Sequence, residues 1–258
     1  MVIFNDAEMF SRFLWIMTGI AVIVFFSLYR INAGYGIMYD KKWGGTVNNR
    51  LGWILMEAPV FIVMLICWLL SERTFQTVPL IFFIIFQTHY FQRSFIFPML
   101  FKTKSRMPIF IMLMGVLFNT LNGLMQGGWI FYVSPADMYT IEWLTTPQFI
   151  IGTIIFIIGM GINLHSDYIV RHLRKPGDHN HYLPKGGFYD YVTSANYFGE
   201  LTEWLGWAIL TWSFAGTVFF IWTFANLVPR ANTIYKKYQT MFPEMQNKKL
   251  KRVIPFIY

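Results

Sequence analysis

Charge is what this sequence has least of. Only 13% of its 258 residues are Asp, Glu, Lys or Arg, about half the roughly 25% of soluble domains. With 55% hydrophobic and 20% aromatic residues, the chain reads as an integral membrane protein. The net charge of +8 then carries no implication of nucleic acid, because basic residues of membrane proteins collect in cytoplasmic loops. A single cysteine, Cys67, excludes an intrachain disulfide and, lying in an apolar run, reads as a lipid-facing or packing residue. No internal repeat or low-complexity segment is present. The two-half signature of transporters is therefore missing, which counts against a proton-coupled transporter. No G-x-G-x-x-G stands between a strand and a helix, so any dinucleotide must be held outside a Rossmann fold. The first apolar stretch follows Asp6 and Glu8 and has no small-residue cleavage site. It is expected to be a retained helix and not a signal peptide.

What is present is a series of apolar runs near the length of about 20 residues that a span needs. They fall at 10–29, 52–71, 78–98, 108–133 and 147–170, and 188–229 is long enough for two spans with a tight turn near Gly206. The expectation is an all-α, seven-helix membrane bundle forming a single domain over 1–258. Lysine and arginine placement agrees with that count. Of the 21 basic residues, 18 lie in the segments 30–50, 101–107, 171–187 and 230–252. The alternate loops carry only Arg73, the N-terminus only Arg12, and Arg93 sits inside the third span. This asymmetry puts the N-terminus outside and the C-terminus in the cytoplasm.

The polar residues inside the spans point to function, because polar groups buried in lipid cost several kcal/mol unless partnered. The stretch GMGINLHSDYIVRHLRKPG (159–177) places Asn163, His165, Ser166 and Asp167 in apolar surroundings. Asn163 and Asp167 share a helix face that runs into Arg171, Arg174 and Lys175. A polar stripe ending in a cationic cluster suits a long ligand with an anionic end. Glu57, His89, Tyr90, Arg93, Asn196, Glu200 and Glu203 fall at similar depth in other spans, as if aimed at one cytoplasm-facing cavity. Blander readings stand beside these. Glu57 alone could cap an interhelical hydrogen bond, and Tyr90 alone could be a packing aromatic. Asn119, Asn122 and the glycines at 115, 123 and 127 read more as helix-packing residues than as ligands. His165 and His172 read as structural or loop residues. His179 and His181 form an H-x-H pair without a third ligand, so no metal site is expected. The terminal Lys248–Arg252 run reads as an anchor to anionic lipid.

These motifs resemble the steroid 5α-reductase family. The resemblance rests on the 159–177 segment, on Tyr182 and Pro184 with Gly186–Gly187, and on SANYFGELTEWLGWA (194–208). It extends to Glu57-Ala-Pro, H-Y-F-x-R-S-F at His89–Phe95, N-G-x-x-Q-G at Asn122–Gly127 and the closing I-P-F-I-Y, in one order along nearly the whole chain. The resemblance implies NADPH-dependent reduction of a Δ4-3-oxo steroid to its 5α-dihydro form in a seven-helix bundle. Its ketone-binding pair falls on Glu57 and Tyr90. Its nicotinamide and ribose contacts fall on Asn163, Asp167, Tyr182, Asn196 and Glu200, and its phosphate and adenine contacts on Arg93, Arg171, Arg174, Arg230 and Tyr238. One departure is Met114, where the family can place an arginine; a phosphate contact there is lost or supplied from elsewhere, such as Lys102. The tail around Asn232–Tyr235 also diverges. The implied partners are a steroid-like lipid and the membrane, with no nucleic acid and no obligate protein partner. The compact, basic chain fits a bacterial member in the inner membrane; the family's eukaryotic members reside in the endoplasmic reticulum.

The residue types suit that chemistry. Hydride addition to the β-carbon of an enone builds negative charge on the ketone oxygen, which the site must meet with hydrogen-bond donors. A buried tyrosine hydroxyl can donate, and so can a carboxylic acid kept neutral by burial, a pairing known from ketosteroid isomerase. The steroid body needs apolar walls, for which Trp53, one turn before Glu57, is a candidate. The alternatives are a reductase of another lipid enone or enoyl thioester, and a membrane methyltransferase.

Overall fold

In the computed structural model, which describes residues 6–31, 34, 36–102, 105–175, 178, 180–247 and 249–258, the first helix begins at its acidic cap. The Asp6 carboxylate accepts from the backbone N–H groups of Glu8 and Met9, satisfying donors that a helix start leaves free. Helix α1 (Ala7–Leu28) buries Phe10, Leu14, Met17 and Ala21 along one stripe, against the last helix. Its other face exposes Trp15, Ile16, Val22, Ile23 and Phe26. Such an apolar outer face suits a helix whose surroundings are lipid.

A short antiparallel ribbon sets up the next pair of helices. Strand β1 (Thr46–Asn48) pairs with β2 (Arg106–Pro108), with Thr46 opposite Pro108. The strands lead into α2 (Asn49–Leu69) and into α4 (Ile109–Gly128), which therefore start side by side and run the same way. The Asn48 side chain caps α2. Gly115, Gly123 and Gly127 of α4 lie against Met56, Val63 and Cys67 of α2, where any Cβ would come within 3 Å of a side chain. Cys67 is thus a buried packing residue. Between them, α3 (Thr77–Phe91) continues through a π turn (Gln92–Ile96) into a last short turn (Phe97–Met99). A second π turn (Trp129–Val133) closes α4.

The tightest packing joins α5 (Pro147–His172) to α6 (Ala195–Thr211). Gly152 faces Leu210, Gly159 faces Glu203, and Gly206 and Gly199 face Phe156 and Asn163, backbone against backbone. Each step forward on α5 matches a step back on α6, so the pair is antiparallel. This corrects the expected turn near Gly206. That glycine is mid-helix because a Cβ there would fall 2.3 Å from the Phe156 backbone. The chain turns instead at Trp212, held at φ 45°, and Ser213, whose hydroxyl caps α7 (Phe214–Met241) by accepting from Gly216 N–H.

Four helical stretches among the described residues are long and apolar enough to cross a membrane: Ala7–Leu28, Asn49–Leu69, Ile109–Val133 and Pro147–His172. The other three are α3, with 15 residues, α6, with 17, and α7, which carries Arg230, Lys236 and Lys237 in its second half.

The loops gather at two ends. At one end the ribbon joins 46–48 to 106–108, Gly36 sits beside Arg230, and the Tyr29 and Tyr258 hydroxyls meet at 3.0 Å. There too Lys185 pairs with Glu244, and the N–H groups of Thr193 and Ser194 donate to the carbonyls of Lys251 and Arg252. At the other end Arg73 donates to Ser134, Tyr139 to the Thr211 carbonyl and Trp143 to that of Leu210. The terminal basic run is also corrected in part. Arg252 turns inward, donating to Asn232 and lying over the rings of Tyr235 and Tyr258. Lys249 and Lys251 line a surface cavity with Asp190, Tyr191 and Phe256. Lys104, Pro176, Gly177, His179 and Lys248 lie outside the described residues.

Candidate active site

The site begins with two asparagines one turn apart on α4. Asn119 Nδ2 donates to the Met56 carbonyl at 2.7 Å and to the Glu57 carboxyl at 3.2 Å. Asn122 Nδ2 donates to the Tyr90 hydroxyl at 3.2 Å. Behind Asn122, Gln126 Nε2 donates to Asn122 Oδ1 and to the Ala215 carbonyl, while Trp207 Nε1 donates to Gln126 Oε1 at 2.8 Å. Asn119, Asn122 and Gln126 are all buried. The asparagines read in sequence as packing residues thus hold Glu57 and Tyr90. Because the Tyr90 oxygen accepts from Asn122, its own proton is left for another acceptor. The Tyr90 ring stacks on Trp204, centroids 5.6 Å apart and planes at 27°.

A second cluster centres on Arg93, in the π turn directly after Tyr90. π turns are often found at functional sites, and this one turns Arg93 towards α5 and α6. Its guanidinium donates to Asp167 at 3.3 Å and to Glu200 at 3.5 Å. It also lies over the rings of Trp53, at 5.0 Å, and Phe97, at 4.6 Å. Asn196 Nδ2 donates to Asp167 at 3.2 Å, Asn163 Nδ2 donates to the Asn196 carbonyl at 2.9 Å, and the Tyr189 hydroxyl donates to Asn196 Oδ1 at 3.5 Å. The two clusters adjoin, because Arg93 lies three residues after Tyr90 on the same helical stretch and over the ring of Trp53, one turn before Glu57.

Several buried donors here have no partner among the described residues: Trp53 Nε1, Ser166 Oγ, Ser194 Oγ and Arg171 Nη1. Such atoms normally find a hydrogen bond, so each is available to a polar ligand. Beyond Arg171, at the basic end, Arg174 Nη2 lies 2.6 Å from His181 Nδ1, and the Tyr182 hydroxyl donates to Asp178. The Asn180 N–H and the Tyr182 hydroxyl together hold the Asp178 carboxyl below its usual range. Arg230 donates to the Tyr197 hydroxyl at 2.7 Å. Tyr238 packs with Leu183, Met245 and Leu250.

Of the residues expected from sequence, Trp53, Glu57, Tyr90, Arg93, Asn163, Asp167, Asn196 and Glu200 come together. Arg171, Arg174 and Tyr182 lie at the end of α5 and in the loop after it, and Arg230 and Tyr238 in the second half of α7; Arg174 pairs with His181, Tyr182 with Asp178 and Arg230 with Tyr197. Met114 is exposed on the outer face of α4, and Lys102 is exposed beyond the end of α3. Tyr189 escaped sequence reasoning; its place in a G-F-Y-D turn before α6 is the only signal it gave. Among the described residues no three His, Cys, Asp or Glu side chains group as metal ligands do.

Residues 105–258 match the family model of 3-oxo-5-alpha-steroid 4-dehydrogenase. Over 258 aligned residues the chain is 35% identical to a steroid 5-alpha-reductase of Gossypium hirsutum, covering 98% of this chain and 99% of the relative. It is 36% identical to 3-oxo-5-alpha-steroid 4-dehydrogenase 1 of Mus musculus, covering 92% of each. With the Homo sapiens protein of that name it shares 34% identity over 98% of this chain and 97% of the relative.

Proposed function

The chain belongs to the 3-oxo-5-alpha-steroid 4-dehydrogenase family, and from that premise we propose that it reduces the Δ4 double bond of 3-oxo-Δ4 steroids at the Glu57–Tyr90 site. The observation that carries the reading is the pairing of Glu57 with Asn119 and of Tyr90 with Asn122, one turn apart on a single helix. Two groups able to donate to one ketone oxygen are supported from the same edge. Tyr90 keeps its proton free to donate, and Asn119 fixes one side of the Glu57 carboxyl. As charge builds on the ketone oxygen, donors already in place stabilise it without reorganising. Trp53 walls the same space.

The buried donors at Arg171, Ser166 and Ser194 that have no partner among the described residues suit the phosphate and ribose oxygens of a dinucleotide. NADPH, when bound, supplies the hydride. Arg171 and Arg174 would hold phosphate, with Arg230 and Tyr238 nearer the adenine end. Asn163, Asp167, Tyr182, Asn196 and Glu200 would hold the ribose and nicotinamide, and Arg93 would join the two groups. The whole chain would act as one domain of seven crossing helices, with the basic end in the cytoplasm and the N-terminus outside.

The deciding assay is purified protein with NADPH and testosterone or progesterone, with product stereochemistry read out. Enoyl thioesters run in parallel test the neighbouring lipid-reductase reading. Tyr90→Phe removes one donor and should lower turnover about 10²–10³-fold, with NADPH binding kept. Glu57→Gln keeps a donor and should be milder than Glu57→Leu. Near-normal turnover in Tyr90→Phe would rule out the hydroxyl donor.

A further inference from the structure

One buried pair is unused by this chemistry. His89 Nδ1 lies 2.6 Å from Glu203 Oε1, with side-chain exposures of 5% and 0%. Among the described residues, Glu203 Oε2 has no hydrogen-bond partner. A pair of this kind is costly to bury and is weak evidence of stabilisation on its own.

Its position in the sequence is what matters. His89 immediately precedes Tyr90 on α3, and Glu203 immediately precedes Trp204 on α6. The hydrogen bond therefore ties the two helices at the level where the Tyr90 and Trp204 rings stack. The imidazole also stands edge-on to both rings, at 4.9 Å from Tyr90 and 4.6 Å from Trp204. Glu203 is itself held from behind, since its backbone is packed against Gly159 of α5. Asn122 alone fixes the Tyr90 oxygen by one bond and leaves the ring free to pivot about it. Fixing the ring requires a second constraint, and the stack on Trp204 supplies one.

We infer that His89 and Glu203 are a positioning pair: by locking α3 to α6 beside the Tyr90–Trp204 stack, they hold the Tyr90 hydroxyl in register with Glu57. This rests on the proposed role of Tyr90. A misplacement of about 1 Å in a reacting geometry can cost about 10²-fold, so His89→Ala should lower kcat on that scale while leaving NADPH affinity near wild type. Glu203→Gln keeps a hydrogen-bonding group of the same shape and should retain most turnover, whereas Glu203→Leu should resemble His89→Ala.

A merely structural pair would predict similar losses, so the test is a double-mutant cycle on the full-length protein in detergent or nanodiscs. In a Tyr90→Phe background, His89→Ala should cost less than about 2-fold more in kcat, because the hydroxyl it positions is gone. An equal loss in both backgrounds would overturn the inference. Melting temperature gives a readout independent of the reaction. The losses from His89→Ala and Trp204→Leu should be less than additive if the bond and the ring stack form one unit, and additive losses would dismiss the clamp. Full turnover in Tyr90→Phe together with coupled melting temperatures would keep the clamp and discard the hydroxyl donor instead. Should His89→Ala fail to fold, the Glu203→Gln and Glu203→Leu pair carries the same cycle.

Discussion

Arg171 differs from Arg93 and Arg230 in having a buried nitrogen, Nη1, without a hydrogen-bond partner among the described residues. Arg93 has two carboxylates within 3.5 Å, and Arg230 has the Tyr197 hydroxyl. A buried guanidinium N–H is costly to leave unmet, so Arg171 is the cation most in need of an anionic ligand. Arg171→Ala should weaken NADPH binding about tenfold or more and narrow the preference for NADPH over NADH, while kcat at saturating cofactor changes little. Titrating both cofactors against the variant checks this, and unchanged NADPH affinity would leave Arg171 a lipid-facing anchor. At this scale the sequence was a partial guide. Glu57, Asp167 and Arg171 stood out because ionisable groups are rare in apolar runs. Asn119 and Asn122 did not, because a mid-helix asparagine looks the same whether it packs helices or holds a catalytic group. Only the α2–α4 and α3–α4 contacts distinguish the two.

Among the elements, the α5–α6 seam is the most constrained. A methyl group at Gly159 would stand 2.2 Å from the Glu203 backbone nitrogen, whereas one at Gly161 would meet nothing within 4 Å. Gly159→Ala should therefore separate the helices and cost about 1–3 kcal/mol, while Gly161→Ala should be close to neutral. Thermal unfolding of the two variants compares them directly, and equal melting temperatures would mean the seam gives way easily. The same packing explains the misplaced turn. Glycine in an apolar run signals either a break or a close approach, and sequence does not choose between them; Gly206 is the second kind. The loop after α5 carries a different signal. His181 Nδ1 can accept from Arg174 only when the ring is neutral. Burial first, and the neighbouring charges of Arg174 and Lys237 next, hold its pKa below the usual 6.5. With the folded value below the unfolded one, the unfolded chain binds the proton first as pH falls. The contribution is complete above about pH 6.5 and is lost as pH drops through the folded value. Amides of residues 180–183 should lose exchange protection, corrected for intrinsic rates, between pH 7.5 and 5. Protection that does not change with pH would show that the Arg174–His181 contact does not hold the loop.

For the whole molecule, the arrangement of loops bears on how the bundle sits in a bilayer. Segments 30–50, 101–107, 171–187 and 230–252 hold most of the basic residues. The ribbon, the Tyr29–Tyr258 contact, the Lys185–Glu244 pair and the bonds from Thr193 and Ser194 to the tail bring all four together at one end. The opposite end collects Arg73, Ser134, Tyr139, Trp143 and Thr211, with little positive charge. Helices that join one end to the other must alternate in direction, and α2 with α4, both starting at the ribbon, obey this. The loop segments could be counted from sequence, but their convergence could not, because it depends on pairings such as Thr46 with Pro108 that no local pattern announces. Under the positive-inside rule the crowded end faces the cytoplasm. A reporter fused after Tyr258 should then be cytoplasmic, and one inserted between Pro135 and Glu142 should lie across the membrane from it. On the proposed function, the same orientation would put Arg171 and Arg174 on the cytoplasmic side to meet NADPH, and a steroid would reach Glu57 and Tyr90 through the bilayer. If both reporters were found on one side, the number of crossings between α4 and the tail would be wrong. Access of cytoplasmic NADPH to Arg171 would then need another explanation.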